Sequence, residues 1–358
     1  MKKTILAAAI LALPCSAVLA QSSVTVYGVL DAGLSLEGGG AAGAVSKVTG
    51  GIASGSRLGF KGTEDLGNGL SALFVLESGI QADTGASGQG GVLFGRQAYV
   101  GLGGKNAGSV TLGRQYSPQY LASVFADPFG SGSAGDSKNL IQAAGNGGRM
   151  DNSVKYAAPV WGPYSLELAY AAGEVAGAGS AGRQLGAALA YAAGPLAVRL
   201  AWHDKNNDSA TVQTASSRNT LLAATYTFAA ARLYLAYGWN RGPFSSPLRN
   251  TANPFAYAVA PTAAALSRDS NDVLAGVSVP LGRHTLLASW MHKDDRQAAN
   301  QDASQLAVGY RYALSKRTDL YAAYARISNR RGASYTVGNA SDGGAGDSAT
   351  NLGIRHTF

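Results

Sequence analysis

The sequence predicts an all-β fold, a 16-stranded antiparallel transmembrane β-barrel, and three observations predict it. After residue 20 there is no run of about 18 apolar residues, which excludes a membrane-spanning helix. Apolar side chains come instead in short alternating stretches, as a strand with one face in lipid and the other in water requires. The connections between these stretches alternate between tight turns and long polar or Gly-rich loops, the layout of single-chain membrane barrels with an even strand count.

Taken in chain order, residues 1–20 read as an export signal: Lys2 and Lys3 are followed by an apolar stretch and then Val18-Leu19-Ala20, with a cut expected before Gln21. The barrel domain is then 21–358. Cys15, the single cysteine, lies within the signal, and Pro14 before it argues against processing as a lipoprotein. The exported chain thus has no disulfide, no thiolate nucleophile and no Cys-type metal site. Without Lys2 and Lys3 there remain 27 basic residues against 21 acidic ones, a net charge of about +6. That excess suits anionic solutes or lipids and does not call for nucleic acid. No stretch reads as a linker between domains.

Sixteen strands are expected at 24–37, 56–65, 70–81, 93–103, 108–116, 152–160, 164–174, 183–193, 195–204, 218–228, 232–242, 271–281, 284–294, 304–314, 318–328 and 349–358. Each supplies roughly the 9–11 residues a tilted strand needs to cross. Long loops fall near 38–55, 82–92, 117–150, 175–182, 204–217, 243–270, 296–303 and 330–347. Faces follow from the alternation. Leu196, Val198, Leu200 and Trp202 are expected toward lipid with Arg199 and His203 inward. Leu233, Leu235, Tyr237 and Trp239 oppose Arg232, Tyr234 and Asn240. Leu306, Val308, Tyr310, Tyr312 and Leu314 oppose Arg311 and its neighbours. Arg199 and Arg311 decide the register, because an arginine at mid-depth on the lipid side costs about 2–4 kcal/mol. Strand 318–328 stays ambiguous, since Ala322 and Ala323 fit either face. Tyr27, Trp161, Tyr164, Trp239, Trp290 and Phe358 are assigned to interfacial belts, and the strand ending at Phe358 is expected to pair with the first. A soluble β-sandwich alternates too, but it buries its apolar face and rarely needs so many strands ending in Tyr or Trp.

Several motifs carry a family likeness. Ser56-Arg57-Leu58-Gly59-Phe60-Lys61-Gly62 with Glu64-Asp65-Leu66-Gly67-Asn68-Gly69 resembles the second strand and first tight turn of Gram-negative general diffusion porins. Arg96 to Leu102 and Gly108 to Tyr116 resemble that family's fourth and fifth strands. With Val24 to Gly28 and the final Phe358, the likeness spans the exported chain and points to the trimeric porins of β-proteobacteria. The resemblance implies that the third long loop, about 117–150, folds into the barrel and narrows it. It also implies a constriction with Arg57, Arg96 and Arg149 on one wall and Asp127 in the loop, with Asp136 beyond; Lys61 is a further inward candidate on the face of Arg57. A homotrimer and surrounding lipopolysaccharide are implied likewise, with loop 82–92 reaching a neighbour.

Guanidinium groups stay charged at any relevant pH, and a narrow passage between low-dielectric walls focuses their field. The expected function is therefore passive, anion-preferring passage of small hydrophilic solutes and inorganic ions. The alternatives are a channel specific for phosphate or a sugar, for which neither a denser basic track nor an aromatic ladder is visible, and a receptor or adhesin role for the long loops. No cofactor or metal is expected: His203, His284, His292 and His356 are scattered, and the Gly-rich runs lack the Gly-Lys-Ser/Thr of a phosphate loop. An outer-wall hydrolase using Ser289 with His292 or His284 lacks an orienting carboxylate.

Overall fold

The computed structural model describes residues 23–141, 148–257 and 267–358. The expected signal, 1–20, and Gly145-Asn146-Gly147 of the long third loop lie outside the described residues. The elements are β1 (Ser23–Gly38), β2 (Val45–Gly50), β3 (Arg57–Gly67), β4 (Leu70–Gly79), β5 (Gln97–Gly104), β6 (Gly108–Tyr116), helix α1 (Pro118–Ala126), β7 (Arg149–Ala157), β8 (Tyr164–Ala171), β9 (Gln184–Ala193), β10 (Leu196–Lys205), β11 (Ser217–Thr227), β12 (Arg232–Arg241), β13 (Asp269–Leu281), β14 (His284–Asp295), β15 (Ala303–Ala313), β16 (Thr318–Asn329) and β17 (Ser348–Thr357). Every pairing is antiparallel, from β3 onward between neighbours in sequence, and β17 returns to β1 with Val29 opposite Thr357 and Gly38 opposite Ser348. The sheet therefore closes without an edge, which a bilayer demands of a strand assembly.

Seventeen strand segments make 16 barrel staves because β2 and β3 share one stave. β2 pairs with the upper half of β1, Ala32 to Glu37, and β3 with the lower half, Ser23 to Val29. The break at 51–56 is organised by Asp31, whose carboxylate accepts from the backbone N–H groups of Ile52, Ala53 and Ser54 at 2.9–3.1 Å and from Tyr321 Oη at 2.7 Å. A carboxylate satisfied by four donors holds the broken backbone without leaving buried polar groups unpaired. The sequence reading takes 38–55 wholly as a loop and misses β2.

Two strand starts also differ by more than two residues. β5 begins at Gln97 rather than 93, because a glycine-rich single turn at Gln89–Gly91 carries the chain past Val92 and Leu93 before pairing resumes. β7 begins at Arg149 rather than 152. Asn152 at φ 51° and a register shift opposite Gly113 to Gln115 form a bulge, and beyond it the ladder continues to Arg149 opposite Tyr116.

The faces follow the expected alternation. Leu200, Leu235, Leu306 and Val308 are 45–62% exposed on the outer surface, while Ala201, Ala236 and Ala307 between them are buried. An exterior this apolar suits acyl chains and would be a liability in water. In β16, Leu320 and Tyr324 face out and Tyr321, Ala323 and Ala325 face in, so Ala322 belongs to the lipid side. Tyr27 departs from its expected belt role: its hydroxyl donates to Glu77 Oε2 at 3.0 Å on the inner side.

Candidate functional site

The long third loop begins at the end of β6 with helix α1. Ser117 caps it by accepting from Tyr120 N–H at 3.1 Å, and Pro118 follows at the first helical position, where its missing N–H costs nothing. Ala122 and Ala126 are buried together with Ala188, Ala201, Leu221, Ala223 and Ala236, wall residues of the inward-facing set. Beyond the helix the chain crosses to β13 and β15. A Cβ at Gly276 would lie 2.7 Å from Pro128 Cγ, and one at Gly309 would lie 2.6 Å from the Phe129 ring, so two glycines admit the loop. Ser133 N–H donates to Ile52 O at 2.7 Å and Asn139 Nδ2 to Gln305 Oε1 at 2.9 Å.

A cavity of about 880 Å3 lies beside this segment, and among its lining residues are Arg57, Arg96, Lys138, Arg149 and Arg249 with Glu77 as the acid. Arg57 opens β3 directly after the break, and its Nη1 donates to Gly55 O at 3.2 Å. Arg96 precedes β5 and is 8% exposed; its Nε donates to Glu77 Oε1 at 2.7 Å and its Nη2 to Tyr116 Oη at 2.8 Å. Arg149 donates from Nε to Arg96 O at 3.0 Å and from Nη2 to the same Tyr116 Oη at 3.2 Å, with its guanidinium 4.9 Å from that ring's centre. Tyr116 in turn stacks on Tyr120 of α1 at 4.8 Å.

Three like charges are thus held together by two acceptors. Glu77 sits 2.7 Å from Arg96 and 3.8 Å from Arg57, and the phenol oxygen of Tyr116 uses both lone pairs on guanidiniums. Gly55 leaves room for this guanidinium: a Cβ there would lie 2.8 Å from Arg96 Nη1, which would have to shift. One carboxylate cannot neutralise three guanidiniums, so this wall stays positive across the physiological pH range.

The other residues expected in the site are placed differently. Lys61 shares the inward face of Arg57, with Nζ 5.4 Å from the Tyr27 ring centre, but it does not line the cavity. Asp127 is 3% exposed and does not face the arginines; its carboxylate accepts from the N–H groups of Phe129, Ser131 and Ser137 at 2.8–3.0 Å. Burial, then the charge of Asp136, push the Asp127 carboxyl up to about 7, against those three donors, which favour the ionised form. Asp136 is fully buried and meets Lys138 at 3.2 Å and Arg249 at 3.3 Å rather than the wall arginines. Both acids therefore shape the loop from within.

Glu77, Tyr116, Lys138 and Arg249 are absent from the site as read from sequence. Glu77 carried a signal, a lone carboxylate on the face of strand 70–81 opposite Leu76 and Phe74. Arg249 carried none, since segment 243–270 has no period.

Comparisons agree with this architecture. The family model for Gram-negative porins matches residues 6–332. An outer membrane porin protein of Bordetella pertussis is 33% identical, with all of both chains covered. Outer membrane porin protein 32 of Delftia acidovorans is also 33% identical with both chains fully covered. Among solved structures, an anion-selective porin from Comamonas acidovorans superposes with a TM-score of 0.76 at 30% identity, covering 94% of this chain and 100% of that one.

Proposed function

We infer passive, anion-preferring conduction from a plain premise: the chain belongs to the Gram-negative porin family. It is an outer-membrane porin, a channel and not an enzyme. Small hydrophilic solutes and inorganic ions cross by diffusion through the water-filled bore, with segment 117–150 as its constriction and no energy source or cofactor involved. The observation that carries the anion preference is the cluster of Arg57, Arg96 and Arg149 around Tyr116, facing the cavity with Glu77 as its carboxylate. Their combined field raises the local concentration of anions and lowers that of cations, most strongly where low-dielectric walls are near. The similar Comamonas acidovorans protein is itself an anion-selective porin, which supports the same direction. A homotrimer with one bore per chain, contact with outer-membrane lipid and lipopolysaccharide, and removal of residues 1–20 on export complete the reading.

Reversal potential in a planar bilayer under a salt gradient tests it. The expected sign is that of an anion-preferring pore with unsaturable conductance; a cation-preferring sign refutes the preference. Saturable block by phosphate or one sugar would identify a specific channel instead.

A further inference from the structure

Arg249 lies outside the wall cluster. It comes from segment 243–257, yet its guanidinium lines the same cavity as Arg57, Arg96 and Arg149. Both of its terminal nitrogens are committed. Nη1 donates to Asn139 Oδ1 at 2.6 Å and to Asp136 Oδ2 at 3.3 Å, both on the 117–141 segment. Nη2 donates to Asp342 O at 3.1 Å and to Asn339 O, both on the 330–347 loop. Asn139 Oδ1 also accepts from Gly338 N–H at 3.1 Å, a second tie between the same two loops. The chain of contacts continues to the wall: the Asp342 carboxylate accepts from Lys47 Nζ at 2.8 Å, and Lys47 also donates to Glu37 Oε2 at 3.0 Å, joining the loop to β2 and β1. The path runs Asp136, Arg249, Asp342, Lys47, Glu37, and at Asp342 it passes from the main-chain carbonyl that Arg249 meets to the carboxylate that Lys47 meets. Two glycines make room for the guanidinium and its backbone, since a Cβ at Gly338 would lie 2.8 Å from Arg249 Nη1 and one at Gly343 would press on the Arg249 main chain.

We propose that Arg249 is a positioning residue of the permeation path: it fastens the 117–141 segment to the mouth loops and so sets the free cross-section, beyond the charge it adds. The proposal rests on reading that segment as the constriction. A planar fork with donors on two sides can engage two loops at once, and a lysine ammonium on a flexible stem cannot reproduce that geometry. Loop position is therefore coupled to this one side chain.

The test uses the full chain refolded into bilayers, with Arg249→Ala, Arg249→Lys and Asp136→Asn. If Arg249 fastens the loop, Arg249→Ala and Asp136→Asn both raise open-channel current noise several-fold and admit larger polyethylene glycols. Their ion preferences move in opposite directions, because one loses a cation and the other an anion. Arg249→Lys keeps the parent's ion preference but shows the noise of Arg249→Ala. If Arg249→Ala shifts ion preference alone, with noise and size limit unchanged, the residue is only a charge and the proposal fails. Each variant is first checked for the folded band on unheated gels; should Asp136→Asn not fold, Asn139→Ala removes the 2.6 Å acceptor in its place. A parent channel that proves cation-preferring would overturn the proposed selectivity while leaving the noise and size comparison intact.

Discussion

At the scale of single residues, the wall cluster hangs on one phenol. Tyr116→Phe removes the oxygen that accepts from Arg96 and Arg149, leaving two guanidinium donors unpaired in a half-buried site. A hydrogen bond to a charged group contributes about 1.5–3 kcal/mol, so a loss of roughly 2 kcal/mol is expected in urea unfolding from lipid vesicles. Asp127 adds a pH dependence. Its folded-state value, about 7, lies above the ordinary 3.8, so its neutral form stabilises the loop below the lower value and that contribution is lost as pH rises to the upper one. Proteolysis within 117–150 is expected to be slower at pH 5 than at pH 8, and Asp127→Asn should flatten the difference. The three wall arginines were legible through the family resemblance of the motifs around them and not through strand period, since Arg96 precedes β5 and Arg149 falls in the stretch read as loop. The role of Asp127 was not, because a carboxylate turned onto its own backbone leaves the same letters in the sequence as one turned to water.

At the scale of elements, the strands were readable wherever one face meets lipid and the other water, since that contrast is written directly into alternate residues. Helix α1 was not, because it touches no lipid: nine residues with small side chains on the packed face read as part of a polar loop. A helix this short is marginal alone, so it depends on the inner wall of β9–β12 and on its cap. Ser117→Ala should cost about 1 kcal/mol of local stability. Faster hydrogen exchange confined to 118–126 would register it, with the strands unchanged. The split of the second stave into β2 and β3 was invisible for a related reason: three of the four donors that hold it are backbone groups, and the fourth, Tyr321, is far away in sequence.

At the scale of the whole molecule, closure depends on the seam between β17 and β1. Phe358 exchanges two backbone hydrogen bonds with Gly28, each 3.1 Å, and its ring lies across that glycine. Deleting Phe358 should lower stability by roughly 1–2 kcal/mol, seen as a lower temperature at which the folded band disappears from gels. The break at 51–56 reaches further. Ser133 N–H of the inner loop and Ala340 N–H of the mouth loop both end on Ile52 O, at 2.7 and 3.1 Å, so the inner segment is anchored to the stave main chain to main chain. Such an anchor is indifferent to side-chain identity. Apart from the Arg249 tie, mutational drift, or a protein engineer, is free to recolour the wall charges around the aperture while its frame stays put, which makes this scaffold a good candidate for filters tuned to different ions.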